Sequence, residues 1–269
     1  MRNAAFSKYH GTGNDFILID NRSNEFSGLN ERQIAHICHR RFGIGADGLI
    51  LAEGSGSGGY RMRFFNSDGI EGSMCGNGGR CFAAYLFDNG LAGKKIEFEA
   101  FDGVHHAEIL SEKGNPVQVK LKMADIQAVS NHNDDVFLDS GSPHYVRFCK
   151  NPDEIDVVGE GKKIRHAFRP EGTNVNFVSC RENSIRIRTY ERGVENETLS
   201  CGTGTVASII AAHSKGLLTG NYAKAQTRGG MLCVHYNLHE GIYSDIWLEG
   251  PAEHVFNGKI QISDEISGR

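Results

Sequence analysis

The sequence lacks several features that would place it in a well-defined class of proteins. It contains only five prolines and one tryptophan among 269 residues. No uninterrupted apolar run approaches the roughly 18 residues that a membrane-spanning helix needs. The first residues contain no apolar segment of the kind found in a secretory signal. We therefore expect a cytoplasmic protein that does not contact a membrane.

Charge and cysteine spacing argue against a nucleic-acid partner, a disulfide framework and a zinc site. The 29 basic and 33 acidic residues give a formal net charge of −4, so charge gives no reason to expect nucleic acid as a partner. The seven cysteines are odd in number and contain no Cys-x-x-Cys pair. This spacing favours thiols over a disulfide framework or a zinc site. We expect most of these cysteines to be small apolar core residues.

The spacing of apolar residues predicts short strands and three helices. The predicted helices cover residues 30–39, 75–89 and about 202–215, and Gly90 and Gly216 end the last two. The predicted strands are residues 5–10, 15–20, 48–52, 60–66, 95–100, 105–110, 117–122, 144–148, 175–180, 184–191, 223–226, 231–238 and 243–249. We expect an exposed hairpin loop at residues 54–59. The basic cluster at residues 161–165 is expected to be a solvated turn and strand start.

The most informative pattern is an internal duplication. In the first half, Arg63-Phe64-Phe65-Asn66 leads to Cys75-Gly76-Asn77-Gly78 and an apolar helix. In the second half, Arg188-Thr189-Tyr190-Glu191 leads to Cys201-Gly202-Thr203-Gly204 and another apolar helix. A second pair, residues 11–16 and 172–177, also resemble each other. Copies about 125 residues apart predict two similarly folded α/β lobes that meet near residues 114–116.

Each Cys-Gly-x-Gly motif places a cysteine where a loop meets the start of a helix. The first amides of a helix lack intrahelical partners, and the helix dipole adds partial positive charge. Both effects favour the thiolate and lower the pKa of a cysteine from its usual value of about 8.5. The glycines lack a Cβ atom, so a ligand can approach the backbone amides closely. Each motif is therefore interpreted as a thiolate site and a carboxylate cradle.

Two such motifs predict a particular reaction. If a pseudo-twofold axis relates the lobes, Cys75 and Cys201 point into a cleft from opposite sides. One carbon held there loses a proton to one sulfur and gains a proton from the other, which inverts its configuration. The sequence shows no lysine context typical of pyridoxal phosphate and no recognisable metal site. We therefore expect no cofactor and no metal.

Six motifs resemble those of the diaminopimelate epimerase family, within the pyridoxal-phosphate-independent racemases, and span almost the whole chain. They are Phe6-x-Lys8-x-His10-Gly11-x-Gly13-Asn14-Asp15-Phe16, Gly43-Ile44-Gly45-Ala46-Asp47-Gly48, Asn66-x-Asp68-Gly69 with Cys75-Gly76-Asn77-Gly78-Gly79-Arg80, Gly141-Ser142-Pro143-His144, Gly172-Thr173-Asn174-Val175-Asn176-Phe177, and Tyr190-Glu191-Arg192-Gly193 with Cys201-Gly202-Thr203-Gly204. The resemblance implies an α/β (α+β) fold with two pseudo-symmetric lobes. Each lobe is a mostly antiparallel sheet around a central helix, and the active site lies in the cleft between them. The implied lobes are residues 1–114 with 258–269, and residues 115–257.

The resemblance also implies the reaction and its residues. The reaction is the reversible conversion of LL- to meso-diaminopimelate, on the route to lysine and peptidoglycan. Cys75 and Cys201 resemble the acid/base pair, with Cys75 taking the proton from the LL epimer, and His144 and Glu191 resemble its polar neighbours. The implied substrate contacts are Asn14, Asn66, Gly76, Asn77, Asn174, Glu191, Arg192, Gly202 and Thr203. Arg192 suits a distal carboxylate, because a guanidinium can bind it with two hydrogen bonds. The implied partners are this small molecule and, in a homodimer, a second copy of the chain.

Three positions depart from the pattern of the family. Gly48 stands where many members have a glutamine that contacts the substrate. Ser142 stands where many have asparagine. The segment from Gly193 to Thr198 is one residue longer than the commoner form. These departures concern substrate selectivity more than the type of reaction.

Other functions stay open on the residues alone. A proline or hydroxyproline racemase of the same superfamily has a substrate with no distal carboxylate, and Asn174 and the segment Tyr190-Glu191-Arg192-Gly193 disfavour it. A non-catalytic thiol module would be a redox sensor or would bind an amino acid. A dinucleotide-binding domain is disfavoured, because no Gly-x-Gly sequence opens a Gly-x-Gly-x-x-Gly unit with an acidic residue about 20 positions on.

Overall fold

The chain forms two compact units. A computed structural model describes residues 2–56, 58–112, 114–168 and 172–263. Unit 1 consists of Met1–Leu121 and Pro251–Arg269, and unit 2 of Lys122–Gly250. Unit 2 is thus inserted into the sequence of unit 1. The division expected from the sequence placed these boundaries after residues 114 and 257.

Unit 1 consists of a mixed sheet with two helices. In chain order its elements are β1 (Arg2–Gly11), β2 (Asn14–Asp20), α1 (Glu31–Cys38), β3 (Gly48–Gly54), β4 (Tyr60–Asn66), α2 (Gly76–Asp88), β5 (Lys95–Ala100), β6 (Gly103–Ile109) and β7 (Val117–Lys122). The strands neighbour one another in sequence order. The pairs β2/β3 and β4/β5 are parallel, and the pairs β1/β2, β3/β4, β5/β6 and β6/β7 are antiparallel. The predicted hairpin β3/β4 is confirmed, although Ser57 in its loop lies outside the described residues.

Unit 2 has the same kinds of element. These are β8 (Val129–His132), β9 (Asp135–Asp139), β10 (Pro143–Phe148), a 3₁₀ turn (Pro152–Glu154), α3 (Val157–Ala167), β11 (Asn174–Arg181), β12 (Ser184–Glu191), β13 (Asn196–Thr198), α4 (Gly202–Ser214), β14 (Tyr222–Thr227), β15 (Gly230–His239) and the first part of β16 (Ile242–Ile262). From Pro251 onward β16 belongs to unit 1. The pairs β10/β11 and β12/β14 are parallel. The pairs β9/β10, β11/β12, β14/β15 and β15/β16 are antiparallel.

The two units repeat one topology. Unit 1 has β2, α1, β3, β4, α2, β5 and β6 in this order. Unit 2 has β10, α3, β11, β12, α4, β14 and β15 in the same order, with a 3₁₀ turn and β13 added, and the same parallel and antiparallel pairs. The predicted repeat from strand to Cys-Gly-x-Gly to helix is therefore confirmed. The second predicted repeat is wrong. Residues 174–177 lie on β11, which corresponds to β3, whereas residues 14–16 lie on β2, which corresponds to β10.

One buried helix forms the centre of each unit. Helix α2 packs against β1, β2, β3, β4 and β6, and α4 against β9–β12, β14 and β15. Every residue from Gly76 to Leu86 is buried, which explains why this stretch has no solvent-facing side of charged residues. Both helices end where the sequence predicts, since Gly90 and Gly216 have φ values of +65° and +69°.

Some elements differ from expectation. The cluster at residues 161–165 lies within α3, so its interpretation as a turn and strand start is wrong. The helix starts because the side chain of Asp156 accepts a hydrogen bond from the amide of Gly159. The short strands β8, β9 and β13 were not predicted. The second half of β16 was not predicted either. Pro251 does not end this strand, because it lies between the stretch paired with β15 and the stretch paired with β1 and so interrupts neither ladder.

We predict that the buried face of α2 dominates the stability of unit 1. Phe82 is fully buried, and its ring contacts Phe98 with a centroid distance of 5.1 Å. Phe82→Ala should lower the free energy of unfolding by about 3–5 kcal/mol, measured by denaturant titration, because a large cavity remains. Phe101 is 74% exposed, so Phe101→Ala should change it by less than about 0.5 kcal/mol. Equal effects of the two substitutions would contradict this view of the core.

Candidate active site

Both motif cysteines lie at the N-terminus of a central helix. Cys75 and Cys201 are the N-cap residues of α2 and α4, with extended backbones of φ −94°, ψ 132° and φ −123°, ψ 117°. Cys75 is half-buried, and Cys201 is only 8% exposed. The first turn of α4 donates a hydrogen bond to the Cys201 side chain, whereas the Cys75 side chain makes no such capping bond with α2. Unpaired amides of a helix start can also bind a ligand beside the cysteine.

A matching ion pair anchors the loop in front of each cysteine. Arg63 on β4 binds both carboxylate oxygens of Glu71 at 3.0 Å, and Arg188 on β12 binds both oxygens of Glu197 at 2.7 Å. Each glutamate stands four residues before its cysteine. Because a guanidinium and a carboxylate with two parallel hydrogen bonds have a fixed geometry, the pair fixes where the loop enters the helix.

Cys75 and Asn77 both bond to the side chain of Asn14, and we call these three residues the Cys75 site. The Cys75 Sγ lies 3.6 Å from Asn14 Oδ1, in position for the thiol to donate. Asn77 Nδ2 donates to the same oxygen at 3.2 Å. Three of the predicted residues are thus brought together within unit 1. The sulfur faces an amide oxygen whose second hydrogen bond comes from the helix itself.

A charged network holds Asn14 in place. Asn14 Nδ2 donates to Asp47 Oδ2 at 2.8 Å. Arg40 Nη2 binds Asp47 Oδ1 at 2.7 Å and Asp15 Oδ1 at 2.6 Å, and Lys8 Nζ lies 2.7 Å from Asp15 Oδ2. Burial alone would raise the pKa of Asp15. The hydrogen bonds and charges of Arg40 and Lys8 outweigh burial and lower that pKa to about 2.

Arg80 carries a fully buried positive charge below the Cys75 site. Its Nη2 donates to Asn77 Oδ1 at 2.9 Å, and longer contacts of 3.4–3.5 Å reach oxygens of Gly76, Thr12 and Pro251. Burial lowers the pKa of this guanidinium. Among the described residues its hydrogen-bond partners are all neutral, so the charge makes this corner of unit 1 favourable for an anion.

Asn66 and Gly48 lie on adjacent strands, and the register pairs them. Asn66 is exposed at the end of β4 and donates to the carbonyl of Ile70 at 3.4 Å. A Cβ atom on Gly48 would lie 2.5 Å from the Phe64 ring and 2.6 Å from the carbonyl oxygen of Phe65. The aromatic ring therefore occupies the space beside residue 48, which explains why a glycine stands at this position.

Cys201, Thr203, Ser142 and His144 form what we call the Cys201 site. The Gly204 amide donates to Cys201 Sγ at 3.4 Å, and Thr203 Oγ1 lies 3.5 Å from the same sulfur. His144 Nε2 lies 3.0 Å from Thr203 Oγ1 and 3.0 Å from Ser142 Oγ. Ser142, one of the departures from the family pattern, is thus directly involved in the hydrogen bonds around His144.

The imidazole of His144 is neutral, and the side chain of Asn176 fixes its orientation. Its Nδ1 lies 2.9 Å from Asn176 Nδ2, and Asn176 Oδ1 accepts from the hydroxyl of Thr189 at 2.9 Å. Burial, helped by the positive charge of Arg192, lowers the pKa of His144 to about 3. With Nδ1 accepting, the ring proton lies on Nε2 and points toward Thr203 and Ser142.

The remaining predicted residues of unit 2 lie at the ends of β11 and β12. Asn174 Nδ2 donates to the carbonyl of Pro143 at 3.0 Å and to Ser142 Oγ at 3.3 Å, and its Oδ1 accepts from the Arg192 amide at 2.9 Å. Glu191 Oε2 accepts from the Thr198 hydroxyl at 2.9 Å. The Asn174 side chain therefore ties the start of β11 to the segment that carries Arg192.

Equivalent positions in the two units differ sharply in polarity. The register places Phe16, Gly48 and Asn66 in one row, and His144 and Asn174 occupy the equivalent row of unit 2. Two residues further along, Ile50 and Phe64 of unit 1 correspond to Asn176 and Thr189 of unit 2. The helix start of α2 therefore rests on Phe16 and Ile50, whereas that of α4 rests on His144 and Asn176.

The sequence places this chain among known enzymes. A model of the family described as diaminopimelate epimerase matches residues 6–129 and 136–255. A diaminopimelate epimerase of Flavobacterium psychrophilum is 46% identical over 256 residues, which cover 94% of this chain and 98% of that protein. One of Chlorobaculum tepidum is 42% identical over 266 residues, covering 94% of this chain and 99% of that protein. This chain belongs to the diaminopimelate epimerase family.

The fold is also found in a solved structure of different specificity. A hydroxyproline epimerase from Agrobacterium vitis superposes with a TM-score of 0.70 and 14% identity, over 96% of this chain and 92% of that one. Identity this low shows a shared fold only. The resemblance to the diaminopimelate epimerase family is confirmed, and so is the predicted α+β fold of strand-rich units with few helices.

Five other cysteines of this family member lie away from the helix starts. Burial raises the pKa of each, to about 12 for Cys38 and about 11 for Cys180, with Cys81, Cys149 and Cys233 shifted in the same direction. Within residues 2–263 as far as described, no three His, Cys, Asp or Glu side chains gather as metal ligands would. No helix in the same residues is long and apolar enough to cross a membrane.

Several residues around the two sites were not singled out from the sequence. They are Arg40, Asp47, Arg80, Asn176 and Thr189. Asp47, Arg80 and Asn176 stand within the family motifs, and a polar Asn176 inside the apolar run 175–178 signalled a buried partner. Arg40 and Thr189 gave no comparable signal, because only the strand register and the loop geometry bring them to their partners.

We predict that Gly204 is required for steric reasons. A Cβ atom there would lie 2.7 Å from Asn176 Oδ1 and 3.2 Å from His144 Cε1. Gly204→Ala should lower the free energy of unfolding by about 1–3 kcal/mol, although alanine favours a helix by about 1 kcal/mol. Gly93→Ala, where nothing lies within 4 Å of the new Cβ, is the control and should show no such loss. A stabilised Gly204→Ala protein would contradict the packing described.

We predict that His144 makes this family member sensitive to acid. The unfolded chain protonates this residue below its ordinary pKa of 6.5, whereas the folded protein does so only near 3. Since the unfolded state binds the extra proton, stability falls as pH falls through this window, by up to about 1.4 kcal/mol per pH unit. His144→Gln should flatten the dependence measured by urea titrations across the window. His239→Gln, at a side chain 84% exposed, should leave it unchanged, and an equally steep curve for His144→Gln would refute the assignment.

Proposed function

We propose that the protein is a diaminopimelate epimerase that interconverts LL- and meso-diaminopimelate. The observation that carries this proposal is the repeated placement of a cysteine at the N-terminus of a buried central helix, in a chain 46% identical to a named diaminopimelate epimerase. The repeat supplies two acid/base groups, one for each face of the reacting carbon. The identity to the relatives supplies the substrate.

Cys75 and Cys201 are the proposed acid and base. The thiolate of one removes the α-hydrogen as a proton, and the electron pair of the broken C–H bond stays on the substrate as a carbanion. The thiol of the other delivers its proton to the opposite face, so one proton enters and one leaves in each turnover. The two sulfurs exchange roles when the reaction runs backward.

The backbone amides around the helix starts are proposed to bind the reacting carboxylate. Gly76 and Asn77 lie in the first turn of α2, and Gly202 and Thr203 in the first turn of α4. Amides without intrahelical partners and the positive end of the helix dipole stabilise the carboxylate. They also stabilise the charge that develops at Cα and spreads onto the carboxylate in the transition state.

Side chains at the strand ends are proposed to select the substrate. Asn14, Asn66 and Asn174 offer amide donors and acceptors, Glu191 offers a carboxylate for an ammonium group, and Arg192 a guanidinium for the distal carboxylate. The neutral His144 is proposed to polarise the Cys201 site through its Nε2 proton. We propose no cofactor for this reaction, and a homodimer and a cytoplasmic location stay predictions.

The substrate assignment is tested by comparing substrates directly. Purified protein should epimerise LL-diaminopimelate, followed by chromatographic separation of the epimers, and should leave L-proline and trans-4-hydroxy-L-proline unchanged. A proline or hydroxyproline has no distal carboxylate, so the proposed contact of Arg192 would be missing. Epimerisation of proline with no action on diaminopimelate would overturn the proposal in favour of the alternative racemase.

We predict that each cysteine is needed for inversion. Cys75→Ser and Cys201→Ser should each lower kcat for epimerisation by at least about 100-fold, because a serine hydroxyl is a far weaker acid and base at neutral pH. Cys149→Ser, at a half-buried cysteine outside the two helix starts, is the matched control and should keep the rate. Full activity of either helix-start variant would falsify the two-thiol mechanism.

A further inference from the structure

The sulfur of Cys201 lies beside one backbone amide donor and one hydroxyl group. The Gly204 amide donates to it at 3.4 Å, and the Thr203 hydroxyl lies 3.5 Å away. Hydrogen bonds that point at a sulfur favour the charged thiolate over the neutral thiol. The direction of the hydroxyl proton decides whether Thr203 is a second donor.

The chain of contacts behind Thr203 sets that direction. Asn176 Nδ2 occupies the Nδ1 lone pair of His144, so the neutral ring carries its proton on Nε2. This Nε2 proton faces Thr203 Oγ1 and Ser142 Oγ, each at 3.0 Å, and Ser142 Oγ donates to Thr203 Oγ1 at 3.2 Å. Because Thr203 Oγ1 accepts from this side, its own hydroxyl proton is available to donate to Cys201 Sγ.

The sulfur of Cys75 faces the opposite polarity. It donates to Asn14 Oδ1 at 3.6 Å and, unlike its counterpart in unit 2, accepts no capping bond from the first turn of its helix. The orientation of the Asn14 amide is fixed on both sides. The Nδ2 group of Asn14 donates to the carboxylate of Asp47, which only accepts. Asn77 must present Nδ2 to Asn14, because Arg80 occupies its Oδ1. A thiol donates well to this amide oxygen, whereas a thiolate is repelled by it.

Charges around the two sulfurs do not reverse this difference. The Cys75 site has the buried guanidinium of Arg80, while the acidic Asp15 and Asp47 behind it are held by Arg40 and Lys8. At the Cys201 site His144 is neutral, and the positive charge near it is that of Arg192, which follows β12. Each site therefore has one arginine nearby, and the direction of the hydrogen bonds distinguishes them.

We propose that the substrate-free enzyme holds Cys201 as the thiolate and Cys75 as the thiol, and that Thr203, oriented by His144 and Asn176, is the positioning residue that fixes this form. The inference deepens the proposed function by assigning which sulfur is the base at rest. The resting enzyme then acts first on the epimer whose α-hydrogen faces Cys201. After each such turnover the proton lies on Cys201, and proton exchange with solvent restores the resting form.

The difference is measurable without turnover by the ultraviolet absorbance of thiolates. Burial raises the pKa of the five other cysteines, so near neutral pH the two helix-start cysteines dominate the signal. Cys75→Ser leaves only Cys201 of the pair, Cys201→Ser leaves only Cys75, and the double variant provides the baseline. The midpoint of thiolate formation should lie lower in Cys75→Ser than in Cys201→Ser, by at least about one pH unit. Equal midpoints, or the reverse order, would overturn the proposal.

Further variants test the role of Thr203 itself. In the Cys75→Ser background, Thr203→Val should raise the midpoint because a donor to the sulfur is lost, whereas Thr203→Ser keeps the hydroxyl and should keep the midpoint. Ser208→Ala removes a hydroxyl of the same helix that donates to the Gly204 carbonyl at 2.6 Å, and should have no effect. An unchanged midpoint for Thr203→Val would overturn the assigned role of the hydroxyl. These titrations need no substrate. Failure of the proposed ionisation of Cys201 can therefore be distinguished from failure of the proposed epimerase activity.

Discussion

The constraint on which the structure depends is the placement of each of two cysteines at the start of a buried helix, where backbone amides lack intrahelical partners. A thiolate in a water-poor place needs compensation, and backbone amides supply it without another side-chain charge. This requirement accounts for the glycines after each cysteine, since amides must stay open to a ligand. It also accounts for the complete burial of α2 and α4, because the surrounding strands hold each helix start in a fixed position. The Arg63–Glu71 and Arg188–Glu197 pairs then fix the loop that delivers each cysteine.

Duplication gives two similar sulfur sites, and substitution at equivalent positions makes them different. Phe16 and Ile50 support the start of α2, whereas His144 and Asn176 support that of α4. As a consequence, apolar side chains surround the start of α2, whereas a chain of hydrogen bonds surrounds the start of α4. An enzyme that needs one acid and one base at a time gains from this asymmetry, because two identical thiols would share a single ionisation without preference. The departure at Ser142 lies within the same polar chain and belongs to this difference.

Much of this arrangement is predictable from the sequence, because its causes are local. The Cys-Gly-x-Gly motifs, the apolar helices and their glycine ends are readable along the chain, and so are most strands. Helix α3 was missed because Gly159, Gly161 and two lysines mask an amphipathic start that Asp156 caps. The second repeat was misassigned because the similar segments 11–16 and 172–177 lead into strands that are not equivalent, β2 in unit 1 and β11 in unit 2. Arg40 and Thr189 act through partners that only strand register brings near, so no pattern along the chain indicates them.

The central claim is that one sulfur removes a proton while a different sulfur supplies another. Its most direct test is the epimerisation of unlabelled LL-diaminopimelate by the wild-type protein in deuterium oxide, followed by circular dichroism and mass spectrometry. With two separate sulfurs, early product carries deuterium at the inverted carbon while remaining substrate keeps hydrogen. Because the deuterated product reacts back more slowly than the unlabelled substrate reacts forward, the circular dichroism signal overshoots its equilibrium value before it returns. Product that retains the original hydrogen, or deuterium that enters both epimers equally from the start with a monotonic optical signal, would contradict the account.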